Sequence, residues 1–195
     1  MIDPINITNY NLTIDELQEH ILFWVFAAGH NAISTAKGVD KFLEMTCNTK
    51  EFRHPFPDLY TVGNAYGWDY VTTALSKSGL DCWRRKSRTV KELVDKCYRM
   101  NLRTCSTDDL ESIWGIGPKT ARCFILHTRE NARVAGLDTH VLKFLNDQGI
   151  PAPKHTPTGN KYKLLEQEFL KLCDNAGKTP AVYDLEIWNK YRKSA

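Results

Sequence analysis

Two ionisable side chains, each at the start of a predicted helix, could do chemistry in this chain of 195 residues. Lys119 comes directly after the sequence GIGP, and Asp138 lies nineteen positions further on, in the sequence LDTH. A neutral lysine amine can attack an electrophilic carbon and form an imine. An ionised aspartate can stabilise positive charge that develops close to it. The pair therefore predicts nucleophilic catalysis assisted by a carboxylate. Because an ammonium cannot attack, we expect burial or the helix N-terminus to lower the pKa of Lys119.

The turn before Lys119 is suited to binding an anion. Gly115 and Gly117 can adopt backbone angles closed to other residues, and neither has a side chain that would keep a phosphate away. Pro118 favours the first position of a helix, whose N-terminus carries partial positive charge. We therefore expect the backbone N–H groups of Gly115, Gly117, Lys119 and Thr120 to bind a phosphate. Such a contact positions a nucleic acid without reading its bases.

The carbonyl groups of the same turn offer a second site. Those of Glu111, Ile113 and Ile116 could hold a monovalent cation, Na⁺ or K⁺, that bridges to a phosphate. Simpler interpretations stay open: the turn could be an ordinary connection between helices, Lys119 a phosphate-binding lysine, and Asp138 a helix cap. A dinucleotide-binding loop is disfavoured because no strand precedes the turn and no third glycine follows it.

Helical periodicity accounts for most of the chain and predicts an all-α fold. Thr13 and Glu16 have the spacing of a capping box before the first helix. Further helices are predicted over 31–43, 66–75, 89–100, a short segment that ends at 115, segments that begin at 118 and 138, and 162–173 and 181–193. Pro55 and Pro57 predict a loop, and the proline-rich segment 151–157 predicts a rigid connector.

Composition, cysteine spacing and the N-terminal sequence predict an ordered, intracellular protein. The net charge is +3, and hydrophobic residues make up 42% of the chain. The six cysteines include no C-x-x-C pair and no closely spaced quartet, so we expect no iron–sulfur cluster and no required cofactor. The N-terminus lacks the pattern of a secretion signal, and the longest apolar run is too short to span a membrane.

Taken together, the motifs resemble the helix-hairpin-helix/Gly-Pro-Asp superfamily of base-excision DNA glycosylases, which includes endonuclease III and the 8-oxoguanine DNA glycosylases. The resemblance rests on residues 114–121 (WGIGPKTA) and 137–141 (LDTHV). It extends to 23–42 and to 79–88 (GLDCWRRKSR). The tail 183–190 (YDLEIWNK) is similar to the end of the short archaeal-type 8-oxoguanine glycosylases, which lack an iron–sulfur cluster.

The resemblance implies a two-lobe fold with the active-site cleft between the lobes. One lobe, 21–134, would be a helical barrel that includes the hairpin at about 107–127, and the other would join 1–20 to 135–195. It also implies a bifunctional DNA glycosylase and AP lyase, with Lys119 as the Schiff-base lysine and Asp138 as the essential aspartate. The expected lesion is 8-oxoguanine, with an oxidised pyrimidine as the alternative. A non-catalytic DNA-binding module is the alternative from another class.

Base excision further requires groups that replace and recognise the extruded nucleotide. The resemblance implies a strand wedge at His30 or Asn31. Contacts to the orphan base, in the basic segment that matches the family's loop near the opposite strand, are predicted for Trp83, Arg84 and Lys86. Trp188 and Lys190 are predicted to line the base pocket. The expected partner is damaged double-stranded DNA, with no membrane, and the protein is expected to act as an intracellular monomer.

Overall fold

The computed structural model describes residues 1–47, 53–97 and 99–192. Within these ranges the protein contains ten α-helices and no β-strand, which confirms the predicted all-α class. The helices are α1 (Ile14–Phe26), α2 (Ala32–Thr46), α3 (Pro55–Tyr66), α4 (Trp68–Lys77), α5 (Trp83–Cys97), α6 (Thr107–Glu111), α7 (Pro118–Thr128), α8 (Thr139–Asp147), α9 (Gly159–Asn175) and α10 (Pro180–Arg192). In the part of the chain described, no helix combines the length and the apolar character that crossing a bilayer requires.

Several helices begin where local sequence rules predict. Thr13 caps α1, and the backbone N–H of Thr13 donates to the Glu16 carboxylate at 2.7 Å, which completes the capping box. Pro118 is the first residue of α7, where its missing N–H leaves no hydrogen bond unmade. Asp138 is the N-cap of α8. These starts were predictable because each depends only on residues within one turn.

Three predictions of local structure are wrong. The predicted loop at Pro55 is the first turn of α3, because a proline is tolerated wherever a helical N–H has no partner. Gly67, at φ +81°, then separates α3 from α4, so the predicted helix over 66–75 is divided near its start. The basic segment from Trp83 is likewise the beginning of α5 and not a loop. Arg and Lys are good helix formers, and the buried face of α5 continues back into this segment through Lys86 and Ser87.

The chain forms two compact units. The first comprises Met1–Ile7 and Asn11–Ile116, and the second comprises Thr8–Tyr10 and Gly117–Ala195. The short segment Thr8–Tyr10 therefore belongs with the C-terminal helices. The lobe boundaries expected from the resemblance, 21–134 against the two ends of the chain, stay a prediction.

The core of the first unit is built by α1 to α5, which contact one another. Phe26 of α1 and Phe42 of α2 are fully buried, and their rings meet edge to face with centroids 5.8 Å apart. Leu59, Leu75 and Leu93 bring α3, α4 and α5 to the same interior. Each such side chain contributes about 1.5–3 kcal/mol through its burial. This core holds the α1–α2 connection and the start of α5, where the wedge and orphan-base residues are predicted.

The core of the second unit lies among α8, α9 and α10. Leu145, Phe169 and Ile187 supply one buried side chain each from these three helices. Leu137 and Ala135 are fully buried in the same cluster, so the segment that leads into α8 is part of the core. The position of Asp138 is therefore fixed by packing as well as by its own hydrogen bonds.

Candidate active site

Lys119 is the second residue of α7 and is half-buried. Gly117, the N-cap, has extended backbone angles (φ −95°, ψ 175°), and Pro118 then fixes the first helical turn. The first N–H groups of any α-helix have no partner within the helix. The amine of Lys119 and the first backbone N–H groups of α7 therefore belong to the same end of one helix.

Asp138 caps α8 with one carboxylate oxygen. Its Oδ1 accepts hydrogen bonds from the backbone N–H groups of His140 and Val141, both at 2.9 Å. The residue is half-buried. Because a cap occupies one oxygen of a carboxylate, this role and a catalytic role for Asp138 are compatible.

Close packing joins α7 to the segment that carries Asp138. Cys123, one helical turn after Lys119, is buried against the backbone of Gly136, and a Cβ built on Gly136 would overlap the Cys123 Sγ. Gly136 comes two residues before Asp138. The contact therefore brings the face of α7 that carries Lys119 against the segment that leads to Asp138.

The same segment is held from the other side by α9. The hydroxyl of Tyr162 accepts from the N–H of Leu137 at 3.1 Å and donates to the carbonyl of Ala135 at 2.6 Å. Glu166 Oε1 accepts from the N–H of Ala135 and from Arg122 Nε, both at 2.9 Å. These side chains satisfy buried backbone groups, which makes the segment rigid.

The electrostatic environment of Lys119 differs from the sequence prediction. Burial favours the neutral amine, but the negative charges of three neighbours outweigh burial and raise the pKa of Lys119 above its usual value. These neighbours are Cys123, Asp138 and Asp184. Burial raises the pKa of the Cys123 thiol to about 12, so the charge of this thiol acts on Lys119 only at high pH. The expectation of a lowered pKa was wrong because it counted burial and the helix N-terminus but not these acids.

Asp138 is also shifted towards its protonated form. Burial is the main cause that raises its pKa, and the negative charge of Asp184 adds to it. The positive charge of Lys119 and the hydrogen bond from Val141 oppose this shift without cancelling it. The carboxylate is therefore a better proton acceptor than an exposed aspartate.

Sequence reasoning missed Asp184 and His127. Asp184 lies on α10, and its Oδ2 is 3.2 Å from the Nε2 of His127, whose side chain is 0% exposed. The sequence contains a partial indication, since Lys119, Cys123 and His127 follow one another at intervals of four residues on α7. Nothing local points to Asp184, which is 57 residues away from His127.

The turn before α7 is fixed by α5. Gly115 has φ +88°, and a Cβ built there would overlap the Thr89 Oγ1, so both backbone angle and space require glycine. The Arg88 guanidinium lies over the Trp114 ring, 4.1 Å from its centroid. Glu92 accepts hydrogen bonds from the side chain of Lys96 and from the backbone N–H of Trp114, and both bonds lower the pKa of Glu92.

The carbonyls predicted to hold a cation can be located in this turn. The Ile113 carbonyl accepts from the N–H of Ile116 at 3.1 Å and retains a second lone pair. Lys96 Nζ donates to the neighbouring Ser112 carbonyl at 2.7 Å, so a positive charge already lies beside Ile113. Cation binding by Glu111, Ile113 and Ile116 stays a prediction. Among the described residues, no group of three or more His, Cys, Asp and Glu side chains could hold a metal ion.

The predicted wedge and part of the orphan-base segment lie together in the first unit. His30 Nδ1 is 3.3 Å from the Asp81 carboxylate, and burial together with the positive charge of Lys86 lowers the pKa of His30. Lys86 is buried, and its Nζ donates to the Phe26 carbonyl at the end of α1, at 2.9 Å. Here Lys86 stabilises the α1 terminus, while His30 remains near the surface.

The other residues predicted to contact DNA lie in different local environments. Asn31 caps α2, with its Oδ1 accepting from two backbone N–H groups at 3.0 and 3.1 Å. The exposed Arg84 stacks over Trp83 at 4.6 Å. Trp188 is half-buried on α10 one turn after Asp184, whereas Lys190 is exposed and lies outside that face. The roles predicted for these residues stay predictions.

Comparison with solved structures identifies the fold. No protein-family model matches the chain. The 8-oxoguanine DNA glycosylase of Thermotoga maritima is 19% identical, with a TM-score of 0.65 over 90% of this chain and 79% of that one. The 8-oxoguanine DNA glycosylase of Methanocaldococcus jannaschii is 18% identical, with a TM-score of 0.69 over 94% of this chain and 81% of that one.

A structure of the M. jannaschii 8-oxoguanine glycosylase/lyase in complex with a 15mer DNA containing 8-oxoguanine gives a TM-score of 0.64. The identity is 18%, and the match covers 91% of this chain and 81% of that one. The protein thus has the all-α fold of these 8-oxoguanine DNA glycosylases, as the sequence motifs predicted.

Proposed function

We propose that this protein is a base-excision DNA glycosylase with AP lyase activity that removes 8-oxoguanine from double-stranded DNA. The observation that carries the proposal is the packing of α7 against the segment before α8, where Cys123 meets Gly136. Lys119 and Asp138, at the starts of these two helices, interact through their charges. The fold shared with 8-oxoguanine DNA glycosylases supports the same activity.

In the proposed reaction the C1′–N bond of the damaged nucleotide breaks and the base leaves with the bonding electrons. Positive charge then develops on the deoxyribose, and the ionised Asp138 stabilises it. The neutral amine of Lys119 attacks C1′ and loses a proton, and the C1′–O4′ bond then breaks, so that the sugar ring opens, O4′ takes up a proton and the Schiff base forms. Loss of a C2′ proton from this imine breaks the C3′–O bond by β-elimination, so the 3′ phosphate leaves and the strand is nicked.

The raised pKa of Lys119 adds one requirement to this reaction. The ammonium must lose a proton to water before it attacks, because the same step requires Asp138 to stay ionised beside the sugar. A base bound in the site would exclude further water and favour the neutral amine. We therefore assign the activation of Lys119 to the complex with DNA.

DNA binding is proposed to use the turn and the first unit. The backbone N–H groups of Gly115, Gly117, Lys119 and Thr120 would hold a phosphate, with Na⁺ or K⁺ at the turn carbonyls and no iron–sulfur cluster. His30 or Asn31 would fill the space of the extruded base. The orphan base would contact Trp83, Arg84 and Lys86, and the extruded base would lie against Trp188 and Lys190.

Borohydride trapping tests the proposal. Wild-type protein is incubated with duplexes containing 8-oxoguanine, thymine glycol or no lesion, reduced with borohydride, and examined for a covalent complex. We expect a complex with the 8-oxoguanine duplex that is lost in Lys119→Gln. Lys171→Gln, an exposed lysine of α9 paired with Glu168, is the matched control and should trap normally.

Each other outcome selects an alternative. Trapping that prefers thymine glycol would assign the protein to oxidised pyrimidines. Binding without trapping or base release would leave only a DNA-binding module. Trapping that persists in Lys119→Gln would exclude this lysine as the nucleophile.

A further inference from the structure

We propose that Asp184 is a positioning residue of the proposed active site, held in place by His127 and Thr8. Asp184 would orient the Lys119 amine and set the pH at which that amine becomes a nucleophile. The inference rests on the proposed function, because it concerns the residue that would attack the sugar.

The geometry of α7 provides the first step. Lys119, Cys123 and His127 are spaced four residues apart and therefore lie along one face of the helix, over about 12 Å. Cys123 meets Gly136, and His127 meets Asp184 of α10. One face of α7 thus contacts both elements that carry the carboxylates beside Lys119.

The hydrogen bonds of His127 orient Asp184. His127 Nε2 lies 3.2 Å from Asp184 Oδ2, and Nδ1 lies 2.8 Å from the hydroxyl of Thr8. In the tautomer with the N–H on Nε2, the ring donates to Asp184 and accepts from Thr8. The N–H of Asn9 donates to the His127 carbonyl at 2.9 Å, which holds the N-terminal segment beside the same residue.

The contact between His127 and Asp184 is buried, and the contact between Thr8 and His127 is partly buried. His127 is 0% exposed and Asp184 is 9% exposed. A carboxylate removed from water needs a hydrogen-bond partner, and His127 provides it. Without the imidazole, Asp184 would be left buried with fewer hydrogen bonds, so His127 determines where its charge lies.

Titratable groups act on Lys119 from three parts of the second unit. The thiol of Cys123 lies on α7 itself, Asp138 lies at the start of α8, and Asp184 lies on α10. Two further groups lie close by: Arg122 of α7 pairs with Glu166 of α9, and the charge of His140 acts on Asp138.

With two carboxylates, one can stabilise the sugar cation while the other orients the Lys119 amine. Asp138 uses Oδ1 to cap α8 and is proposed to stabilise the sugar cation. Asp184 adds a second negative charge that attracts the ammonium and raises the pKa of Asp138. This second charge orients the amine and delays its deprotonation to higher pH.

The test is the pH profile of borohydride trapping in Asp184→Asn, an isosteric change that keeps a hydrogen bond to His127. Attack requires ionised Asp138 and neutral Lys119, so trapping should rise with pH. Removal of the Asp184 charge should move this rise to lower pH by about one unit. The maximal rate should also fall several-fold because the amine is less well oriented. Glu186→Gln removes an exposed charge from the same helix and should leave the profile unchanged.

A second pair of variants tests the hydrogen bonds that link Thr8, His127 and Asp184 without altering a charge. Thr8→Val removes the hydroxyl that binds His127 and should shift the profile in the same direction by less. Thr8→Ser keeps the hydroxyl and should match wild type, and these two variants decide the outcome if Asp184→Asn fails to fold. Identical profiles in wild type, Asp184→Asn and Thr8→Val would overturn the inference. Wild-type protein that forms no Lys119-dependent complex would overturn the proposed function instead.

Discussion

Asp138 combines a structural and a proposed chemical role in one carboxylate. The cap requires only an oxygen that accepts hydrogen bonds, whereas stabilisation of a sugar cation requires negative charge. Burial makes that charge costly, since it raises the pKa of Asp138 above the ordinary aspartate value of 3.8. The two roles can therefore be separated by substitution.

We predict that Asp138→Asn abolishes base excision without loss of stability at neutral pH, while Asp138→Ala costs about 1 kcal/mol through the lost cap. A carboxyl with a raised pKa binds its proton more tightly in the folded state, so its contribution to stability falls as pH rises through that pKa. Asparagine avoids this cost, and urea unfolding should find the variant at least as stable as wild type.

The same titration at about pH 3, where aspartate is mostly protonated in both states, supplies the control. There the advantage of Asp138→Asn over wild type should disappear. Equal destabilisation by asparagine and alanine at neutral pH would contradict the assignment of the cost to charge.

Helix α5 acts at the scale of the element, because one side of it supports the turn before α7. Thr89 packs against Gly115, and Arg88 stacks on Trp114. Gly117, two residues further on, has an ordinary φ of −95°, and a Cβ built on it would meet no atom within 4 Å. The two glycines of the motif therefore serve different purposes.

We predict that Gly115→Ala lowers the free energy of unfolding by about 1–3 kcal/mol, because it combines a positive φ with an overlap on Thr89. Gly117→Ala should cost less than about 1 kcal/mol but weaken binding to duplex DNA, since its methyl group would face the phosphate. Urea unfolding and fluorescence anisotropy at fixed salt measure the two effects. Equal DNA affinity of Gly117→Ala and wild type would exclude close phosphate contact at this residue.

The joint between α7 and the segment before α8 gives a second prediction at this scale. Gly136→Ala should reduce excision strongly, because the added methyl group overlaps Cys123 and displaces the segment that carries Asp138. Gly136→Ala combined with Cys123→Ala supplies the missing space and should recover part of the lost rate. Single-turnover excision measures both, and a double variant no better than Gly136→Ala would show that this contact does not set the geometry.

At the scale of the whole molecule, the net charge of +3 is too small to account for strong attraction to DNA. Positive charge is concentrated locally, as in the exposed Arg84 and Arg85 at the start of α5. Binding should therefore depend on a few phosphate contacts and weaken with salt in proportion to their number.

We predict that replacing Arg84 and Arg85 with alanine reduces the slope of log affinity against log salt by about two in magnitude. Folding should change by less than about 0.5 kcal/mol, since both side chains are on the surface. Arg103→Ala, an exposed arginine outside α5, is the control. An unchanged slope in the double variant would place the DNA contacts elsewhere.

The all-α class and the helix starts at Thr13, Pro118 and Asp138 could be predicted from the sequence and are confirmed by the structure. The sequence also predicts that an amine and a carboxylate act together. These features depend on caps, prolines and glycines, which act within one turn of the chain. The helical start at Pro55 was missed although it is local, because proline permits both a loop and a first helical turn.

The groups around Lys119 follow from the folded structure and not from the sequence pattern. The fold brings Asp184 to His127 across 57 residues and Cys123 to Gly136. Cys123, Asp138 and Asp184 then raise the pKa of Lys119, which is the opposite of the expected direction. Electrostatic energy and packing depend on separation in space, and a pattern of residue types does not contain that separation.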